Sequence, residues 1–371
     1  MPIRLVVPNE SQPGESRIAI DPSVAKKLAD MKVSIAMQSG AALSAHFNDD
    51  AFDTVDLIED ASQLYAEAGL VFKVQPPTLD EVRSMQDNTT VVSFMAPQNN
   101  AEMLKLFCEK NITSLAMELV PRITRAQSMD ALSSQAAIAG YMGVLMGAQK
   151  ASVFFPMLTT AAGTIRPARV LIIGAGVAGL QAIATARRLG AIVEAFDVRS
   201  ATREQVESLG GKFVDTGVSA EGEGGYAREL TEDEKAQQQA VLAQHIAQAD
   251  VVVTTAALPG RPSPKIITEE MVKDMKVGSV IVDLASEGGG NCVLTQPGET
   301  VDFMGRVTIH GPLNVASELP VHASEMYAKN LFNLVSPFIT EEGELELDLE
   351  DEVIAGCLLT HGGEIKDERF K

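Results

Sequence analysis

Short apolar runs recur along the chain, separated by stretches of helical spacing or by turn residues. Runs at residues 3–7, 33–38, 70–74, 90–94 and 113–116 predict strands, and stretches such as 23–31, behind Asp21-Pro22, and 100–109 predict helices between them. After Arg166-Pro167-Ala168-Arg169 the alternation restarts, with a strand at 170–173, a helix at 177–189, a strand at 192–196, a helix at 231–249 and strands at 250–254 and 279–284. Apolar strands alternating with helices imply an α/β fold with parallel sheets covered on both faces. The 371 residues are too many for one ordinary core, so the two runs of alternation read as two domains.

Between them, residues 131–149 carry no charge. A membrane span needs about 20 predominantly apolar residues, and Ser133, Ser134, Gln135 and Gln149 favour a buried helix instead. Ala139, Gly140, Gly143 and Gly147 place small side chains one turn apart, so another element can approach closely, in a helix joining two domains or lining a dimer contact. Residues 220–225 are polar and Gly-rich enough for a mobile loop or lid. Residues 344–350 alternate acid and Leu, which suits an exposed strand or hairpin.

Charge narrows the function. Lys and Arg number 30 against 50 Asp and Glu, a formal net charge of -20, with eight of the acids in residues 341–352. That balance argues against gripping nucleic acid or anionic lipid by bulk charge. Cys108, Cys292 and Cys357 are three and far apart, without a disulfide or zinc pattern, which fits a reducing cytosol, and no metal site is expected.

The strongest motif is Gly174-Ala-Gly176-Val-Ala-Gly179, a G-x-G-x-x-G that follows an apolar strand and opens an Ala-rich helix. The first Gly permits a tight turn, the second lets the backbone approach a pyrophosphate, and the third lets helix pack on strand. Asp197 closes the next strand, 18 residues after Gly179. Its carboxylate can accept from ribose hydroxyls and repels a 2′-phosphate, which favours NAD over NADP; Arg199 lies close enough to blur that preference.

Pro8-Asn-Glu10 with Glu15-Ser-Arg17-Ile-Ala19, the fingerprint, and Val282-Asp-Leu-Ala285 with Gly288-Gly-Gly-Asn-Cys292 together resemble the alanine dehydrogenase and pyridine nucleotide transhydrogenase superfamily, over essentially the whole chain. Residues 121–134, Gly224-Gly-Tyr-Ala227, Thr254-Thr-Ala256 and Pro259-Gly260 resemble the transhydrogenase branch, in particular its NAD(H)-binding component. The resemblance implies that Arg122, Gln127, Asp130 and Ser133 contact the nicotinamide and its ribose. It implies further nucleotide contacts at Ala175, Val177, Val198, Arg199, Gly225, Tyr226, Gln238, Ala257 and Leu258, with Tyr226 on a loop that closes over the nucleotide. The alternative for Tyr226 is a loop aromatic covering local apolar surface. By spacing alone, Gln127, Asp130 and Ser134 share one helix face, and Asp and Gln side chains suit a carboxamide NH₂; a capped helix with a solvated polar edge has the same spacing.

The alternative is an alanine dehydrogenase-like amino-acid dehydrogenase. The pattern of that branch has lysines at the places of Lys73 and Gln75, a histidine at Ala96 and an aspartate at Glu287. Ala96 cannot exchange a proton, and amino-acid oxidation without a base is severely slowed. Hydride transfer between two nicotinamides needs no base. Arg17 remains, either to hold a substrate carboxylate or as an ion pair with Glu10 or Glu15.

The sequence thus predicts two Rossmann-type domains, residues 1–134 completed by 318–371 and residues 135–317 carrying the fingerprint, with a nucleotide cleft between them. The resemblance implies that the chain binds NAD(H) and passes hydride to NADP⁺ held on a partner component, coupled to proton translocation by membrane subunits. A homodimer is also implied. With neither nucleic acid nor a membrane span of its own, the chain is expected in the cytoplasm, peripheral on the inner membrane through its partners.

Overall fold

The computed structural model describes residues 2–218, 230–257 and 260–371. The strands are β1 (Arg4–Val7), β2 (Ser34–Gln38), β3 (Asp56–Ile58), β4 (Leu70–Phe72), β5 (Thr90–Ser93), β6 (Thr113–Ala116), β7 (Leu158–Thr160), β8 (Gly163–Ile165), β9 (Arg169–Ile173), β10 (Ile192–Phe196), β11 (Lys212–Phe213), β12 (Val251–Thr254), β13 (Ser279–Asp283), β14 (Thr300–Phe303), β15 (Val307–His310), β16 (Leu358–His361) and β17 (Glu364–Ile365). The chain divides into two compact units, Met1–Gln135 with Ser317–Lys371, and Ala136–Ala316.

The first unit is built on a sheet of order β17-β16-β6-β5-β4-β1-β2-β3. Strands β1 to β6 pair in parallel, and the C-terminal β16 and β17 extend the sheet antiparallel. Leu70, Val71 and Phe72 are each fully buried, as are Val91 and Val92, because helices cover both faces. Full burial of each such side chain contributes about 1.5–3 kcal/mol. Asp21 accepts from Val24 N and Pro22 occupies the first turn, so the helix Pro22–Asp30 begins where its cap residues put it. The alternating segment at 344–350 is not an exposed strand. A single antiparallel bridge joins Ile339 to Leu345, and Leu345, Leu347 and Leu349 pack, partly buried, against the first unit's core. Alternation there separates acids in water from leucines on that core.

The second unit's main sheet has the order β11-β10-β9-β12-β13-β15-β14, parallel except at β14. The chain leaves β9 for β10 on one side and later returns to β12 on the other. This reversal of strand order is the topological switch point, at whose carboxyl ends open α/β sheets bind ligands. A separate hairpin, β7–β8, stands outside the sheet, and all six of its residues are exposed.

The uncharged stretch forms the helix Ala131–Lys150. No helix among the described residues is long and apolar enough to cross a membrane. Its small residues face their own unit's sheet layer. A Cβ on Gly140 would stand 2.0 Å from Ala178 O, one on Gly143 2.8 Å from Leu284, and one on Gly147 2.7 Å from Val251. The close approach thus belongs to the fingerprint's own helix and strands.

Candidate functional site

In the second unit, β9 runs straight into the glycine turn, and the helix Val177–Arg188 leaves it. Gly174 has φ +98°, and a Cβ there would meet Thr255 Oγ1 at 2.5 Å. A Cβ on Gly179 would stand 1.8 Å from Gly174 O, so only glycine lets the helix sit this close to the turn. Gly176 differs: a Cβ there meets nothing within 4 Å. It caps the helix in extended conformation with no side-chain cap, and Val177 beside it is 43% exposed. The first-turn N–H groups and the positive helix end thus suit an anion. Ala175 is buried, and its N–H donates to Asp197 Oδ2 at 2.7 Å, tying the turn to the end of β10.

Asp197 is more engaged than the sequence suggests. Arg199 donates its backbone N–H (2.9 Å) and Nε (2.8 Å) to Oδ1 and its Nη2 (2.7 Å) to Oδ2. The carboxylate expected to meet a ribose is therefore paired with Arg199, itself expected to contact the nucleotide and to blur cofactor choice. Val198, half-buried, packs against the core beneath the sheet.

Three further groups, none given a role by sequence, hold this end of the sheet. Thr255 Oγ1 donates to Ile173 O and Gly174 O, both at 3.2 Å. Asn291 takes the N–H of Ala256 (3.1 Å) and donates to Ala256 O (2.8 Å) and Pro264 O (2.9 Å). Asp283, fully buried at the end of β13, accepts from Thr254, Cys292 N and Thr295. These residues lie in the quoted Thr254-Thr-Ala256 and Asp283 to Cys292 motifs, so the signal was present without a mechanism. Ala257, next to this network, is exposed. Gly225, Tyr226 and Leu258 lie outside the described residues, as does the Gly-rich stretch.

Gln238 is 7% exposed on the helix Glu232–Gln248, and its Oε1 has no hydrogen-bond partner among the described residues. Such a buried group costs about 1–3 kcal/mol when left unpaired. An orphaned acceptor, an open Gly176 and a carboxylate at the end of β10 fit a dinucleotide.

In the first unit, the predicted single helix face over Gln127, Asp130 and Ser134 is not formed. Residues Thr124–Met129 make a 3₁₀ turn anchored by buried Ala126 and Met129, and the α-helix starts at Ala131. Asp130 is the reason: its Oδ1 takes Ser133 N (2.8 Å) and its Oδ2 takes Ser133 Oγ (2.6 Å), an N-cap that fixes the helix start. Asp130 and Ser133 are therefore brought together. Gln127 and Arg122 are exposed on the preceding segment. Ser134 is spent on structure, donating to Asn330 Oδ1 at 2.7 Å.

The same unit contains a buried ionic network. Arg17 donates to Glu15 through Nε (2.8 Å) and Nη2 (2.6 Å), and through Nη1 to Gln135 Oε1 (2.9 Å). Gln75 Nε2 adds a bond to Glu15 Oε2 at 2.7 Å, and Ser317 Oγ one to Oε1 at 2.6 Å. Burial pushes the Glu15 carboxyl up, but the bonds and charge of Arg17, with Ser317 and Gln75, outweigh it and hold the pKa at about 2. Lys73, fully buried, pairs with Glu81 (2.9 Å) and Glu10 (3.4 Å). Burial raises the Glu10 pKa, with Lys73 opposing. Arg17 is thus an ion pair with Glu15, one of the two roles its position allowed.

These features define a Rossmann-type α/β protein carrying a dinucleotide fingerprint. Family profiles described as "Alanine dehydrogenase/PNT, N-terminal domain" and "Alanine dehydrogenase/PNT, C-terminal domain" match residues 6–139 and 143–368. The chain belongs to the alanine dehydrogenase/PNT family. An NAD(P) transhydrogenase alpha-subunit chain of Rhodospirillum rubrum is 44% identical over 375 residues, covering 98% of this chain and 97% of the relative. The crystal structure of a transhydrogenase from Sinorhizobium meliloti superposes with TM-score 0.89 at 41% identity, covering 98% of this chain and 99% of that one. An L-alanine dehydrogenase structure shares the fold, with TM-score 0.82 at 22% identity over 99% of this chain and 98% of that one.

Proposed function

We propose that this chain is the NAD(H)-binding component of a proton-translocating transhydrogenase. Gly176 and the helix start hold the pyrophosphate, with Ala175 and Val177 lining the turn. Asp197, with Val198 and Arg199, takes the adenosine ribose, and Gln238, Ala257 and Leu258 complete the nucleotide contacts. Gly225 and Tyr226 are assigned to the loop that closes over it. Arg122, Gln127, Asp130 and Ser133 recognise the nicotinamide end. Asp130 and Ser133 are suited to this, because a hydroxyl that donates to the carboxylate beside it leaves both groups presenting acceptors in one fixed orientation, which suits a carboxamide NH₂.

When bound, NADH supplies a hydride; in this reading its acceptor is NADP⁺ on a partner component, and membrane subunits couple the transfer to proton movement. The chain's own work is placement. It fixes the nicotinamide, and no side chain has to take a proton from a substrate carbon. A homodimer at the cytoplasmic face of the membrane belongs to the same proposal. The hairpin supports the dimer, since Phe154 (54%), Met157 (66%) and Ile165 (44%) expose apolar surface on and beside β7–β8.

The observation that carries the reading is an intact nucleotide turn in a chain with no base where an amino-acid dehydrogenase needs one. Ala96 cannot exchange a proton, and its N–H and that of Met95 are both held by Glu118. Gln75 and Arg17 are both engaged by Glu15. The test mixes this chain with a transhydrogenase NADP(H)-binding component and follows NADH-dependent reduction of an NADP analogue. Transfer is expected in the mixture and absent from either component alone. No transfer, together with alanine oxidation by this chain alone, would sink the reading.

A further inference from the structure

We propose that Asn330 is a positioning residue for the hydride transfer: it clamps the segment 128–134 at both ends and so fixes how Gln127, Asp130 and Ser133 face a nicotinamide. This rests on the NAD(H) reading above and adds to it the residue that holds the recognition turn still.

Asn330 lies on the helix Pro320–Val335, 202 residues from Ser128 and 196 from Ser134. Its amide is used at both ends. Nδ2 donates to Ser128 O at 2.9 Å, and Oδ1 takes the Ser134 hydroxyl at 2.7 Å. Ser128 precedes Asp130 and Ser134 follows Ser133, so the bonded pair of Asp130 and Ser133 sits between the two held points. Asn330 bonds none of the side chains assigned to the nicotinamide, so it acts through the backbone and the helix start. Asn333 Nδ2 adds a bond to the same Ser128 O at 3.1 Å. Ser134 is also tied inward. Its hydroxyl takes Gln135 Nε2 at 3.1 Å, and Gln135 Oε1 takes Arg17 Nη1 at 2.9 Å, so the clamp is anchored on the buried ionic network of its own unit.

The surroundings of Asn330 do not call for an amide. Tyr327, Ala328, Leu331 and Leu334 on the same helix are fully buried, and Asn330 itself is 6% exposed. A side chain that only filled this space would be more favourable as leucine, because a buried amide first has to give up water. An amide carries a donor and an acceptor at a fixed separation, so one side chain can hold a carbonyl and a hydroxyl at two points of another segment. That segment needs outside support. Thr124–Met129 is a 3₁₀ turn, with poorer hydrogen bonds than an α-helix, and Gln127 and Ser128 on it are exposed. A misplacement of the reacting ring by about 1 Å can cost on the order of a hundredfold in rate.

The experiment compares the whole chain with Asn330→Leu, Ser134→Ala and Leu334→Ala. It reads the thermal midpoint, the NADH affinity by nucleotide fluorescence, and the rate of NADP-analogue reduction at saturating NADH with excess transhydrogenase NADP(H)-binding component. Asn330→Leu is expected to hold NADH affinity within about threefold while the saturated rate falls about tenfold or more. Ser134→Ala frees one held point and should slow the saturated rate about threefold. Leu334→Ala opens a gap in the same helix without touching the clamp. It should lower the midpoint and, measured below that midpoint, keep the parent's saturated rate. Saturated rates unchanged in both Asn330→Leu and Ser134→Ala would overturn the assignment. So would losses that vanish at saturating NADH, or an equal loss in Leu334→Ala, which marks general loosening of the helix. If Asn330→Leu does not fold, Ser134→Ala against Leu334→Ala decides. A parent mixture without hydride transfer would bring down the NAD(H) reading and the clamp with it. A parent that transfers hydride, with both clamp variants indistinguishable from it, would remove the clamp alone.

Discussion

The two units use the same sheet architecture to opposite ends. Each has a central strand flanked by a reversal of strand order, β1 beside β4 in the first and β9 beside β12 in the second. In the second, the central strand runs into glycines, and Gly176 leaves open space at the helix start. In the first, the residues just past β1 and β4 are Glu10 and Lys73, buried and paired with each other and with Glu81. One switch point leaves its backbone open; the other is filled by its own charges. A shared fold therefore does not leave both crevices open, and side-chain chemistry at the strand ends decides which one is filled.

The largest expected effect breaks the filled crevice. Lys73→Met leaves Glu10 and Glu81 facing each other without the cation that joins them, and removing one partner of a buried ionic cluster costs about 3–5 kcal/mol. Urea unfolding should show that loss, and adding Glu10→Gln and Glu81→Gln to the same chain should restore much of it. A Lys73→Met chain as stable as the parent would mean that this network holds nothing together.

The second effect is a pH dependence from the same unit. Arg17 and its neighbours hold Glu15 at about 2, below the ordinary 4.5. A depressed carboxyl contributes stability that is complete above pH 4.5 and lost as pH falls through 2, on the order of 3 kcal/mol here. Glu10 acts with the opposite sign, because its raised pKa favours the folded form at low pH and loses that advantage as pH rises. Glu15→Gln should flatten the fall in stability between pH 4.5 and 2, read from urea midpoints across that window. An unchanged acid limb would assign acid denaturation to other carboxylates.

These two crevices were unequally legible in the sequence. The fingerprint reads directly, because each glycine has a local reason, and the apolar runs of β9, β10, β12 and β13 need no partner to be recognised. The Arg17 and Lys73 network is long-range: Gln135 lies 118 residues from Arg17, and Ser317 302 residues from Glu15. No local pattern could assemble it. The helix start at Ala131 was missed for a different reason. Spacing treats Asp130 as a helical position, whereas its side chain is the cap that ends the preceding turn. The edge strand β3 and the separate β7–β8 hairpin went unread because they are short and wet: β3 has two exposed residues of three, and β7 and β8 are exposed throughout. An exposed strand leaves no apolar signature.

The third effect separates two glycines of the open crevice. Gly179→Ala puts a Cβ 1.8 Å from Gly174 O, backbone against backbone, where neither atom can swing away. A loss of about 2–3 kcal/mol of stability is expected, with loss of NADH binding. Gly176→Ala meets nothing within 4 Å, so its thermal midpoint should match the parent while NADH binding weakens. Calorimetric melting and NADH titration of both variants separate the roles. A Gly176→Ala chain that binds NADH normally would show that the pyrophosphate does not lie on this backbone.

The smallest effect sharpens what the open crevice selects. Asp197 joins the turn to β10 through Ala175 N, and its charge is paired with Arg199. Asp197→Asn keeps an acceptor for Ala175 but removes the charge, leaving the Arg199 cation beside the site. The hydrogen bond from a ribose hydroxyl to a charged acceptor becomes a neutral one, a loss of about 1 kcal/mol, or roughly fivefold in NADH affinity. The guanidinium, no longer held by a charged Asp197, then stands beside the position of a 2′-phosphate, so NADPH affinity should rise as NADH affinity falls. Arg199→Gln should do the reverse for NADPH, because the carboxylate stays and its counter-charge is gone. Opposite shifts in the NADH to NADPH ratio for these two variants would establish that cofactor choice is set by the pair. Shifts in the same direction would mean that Arg199 binds the nucleotide on its own account and that its bonds to Asp197 belong only to the ligand-free protein.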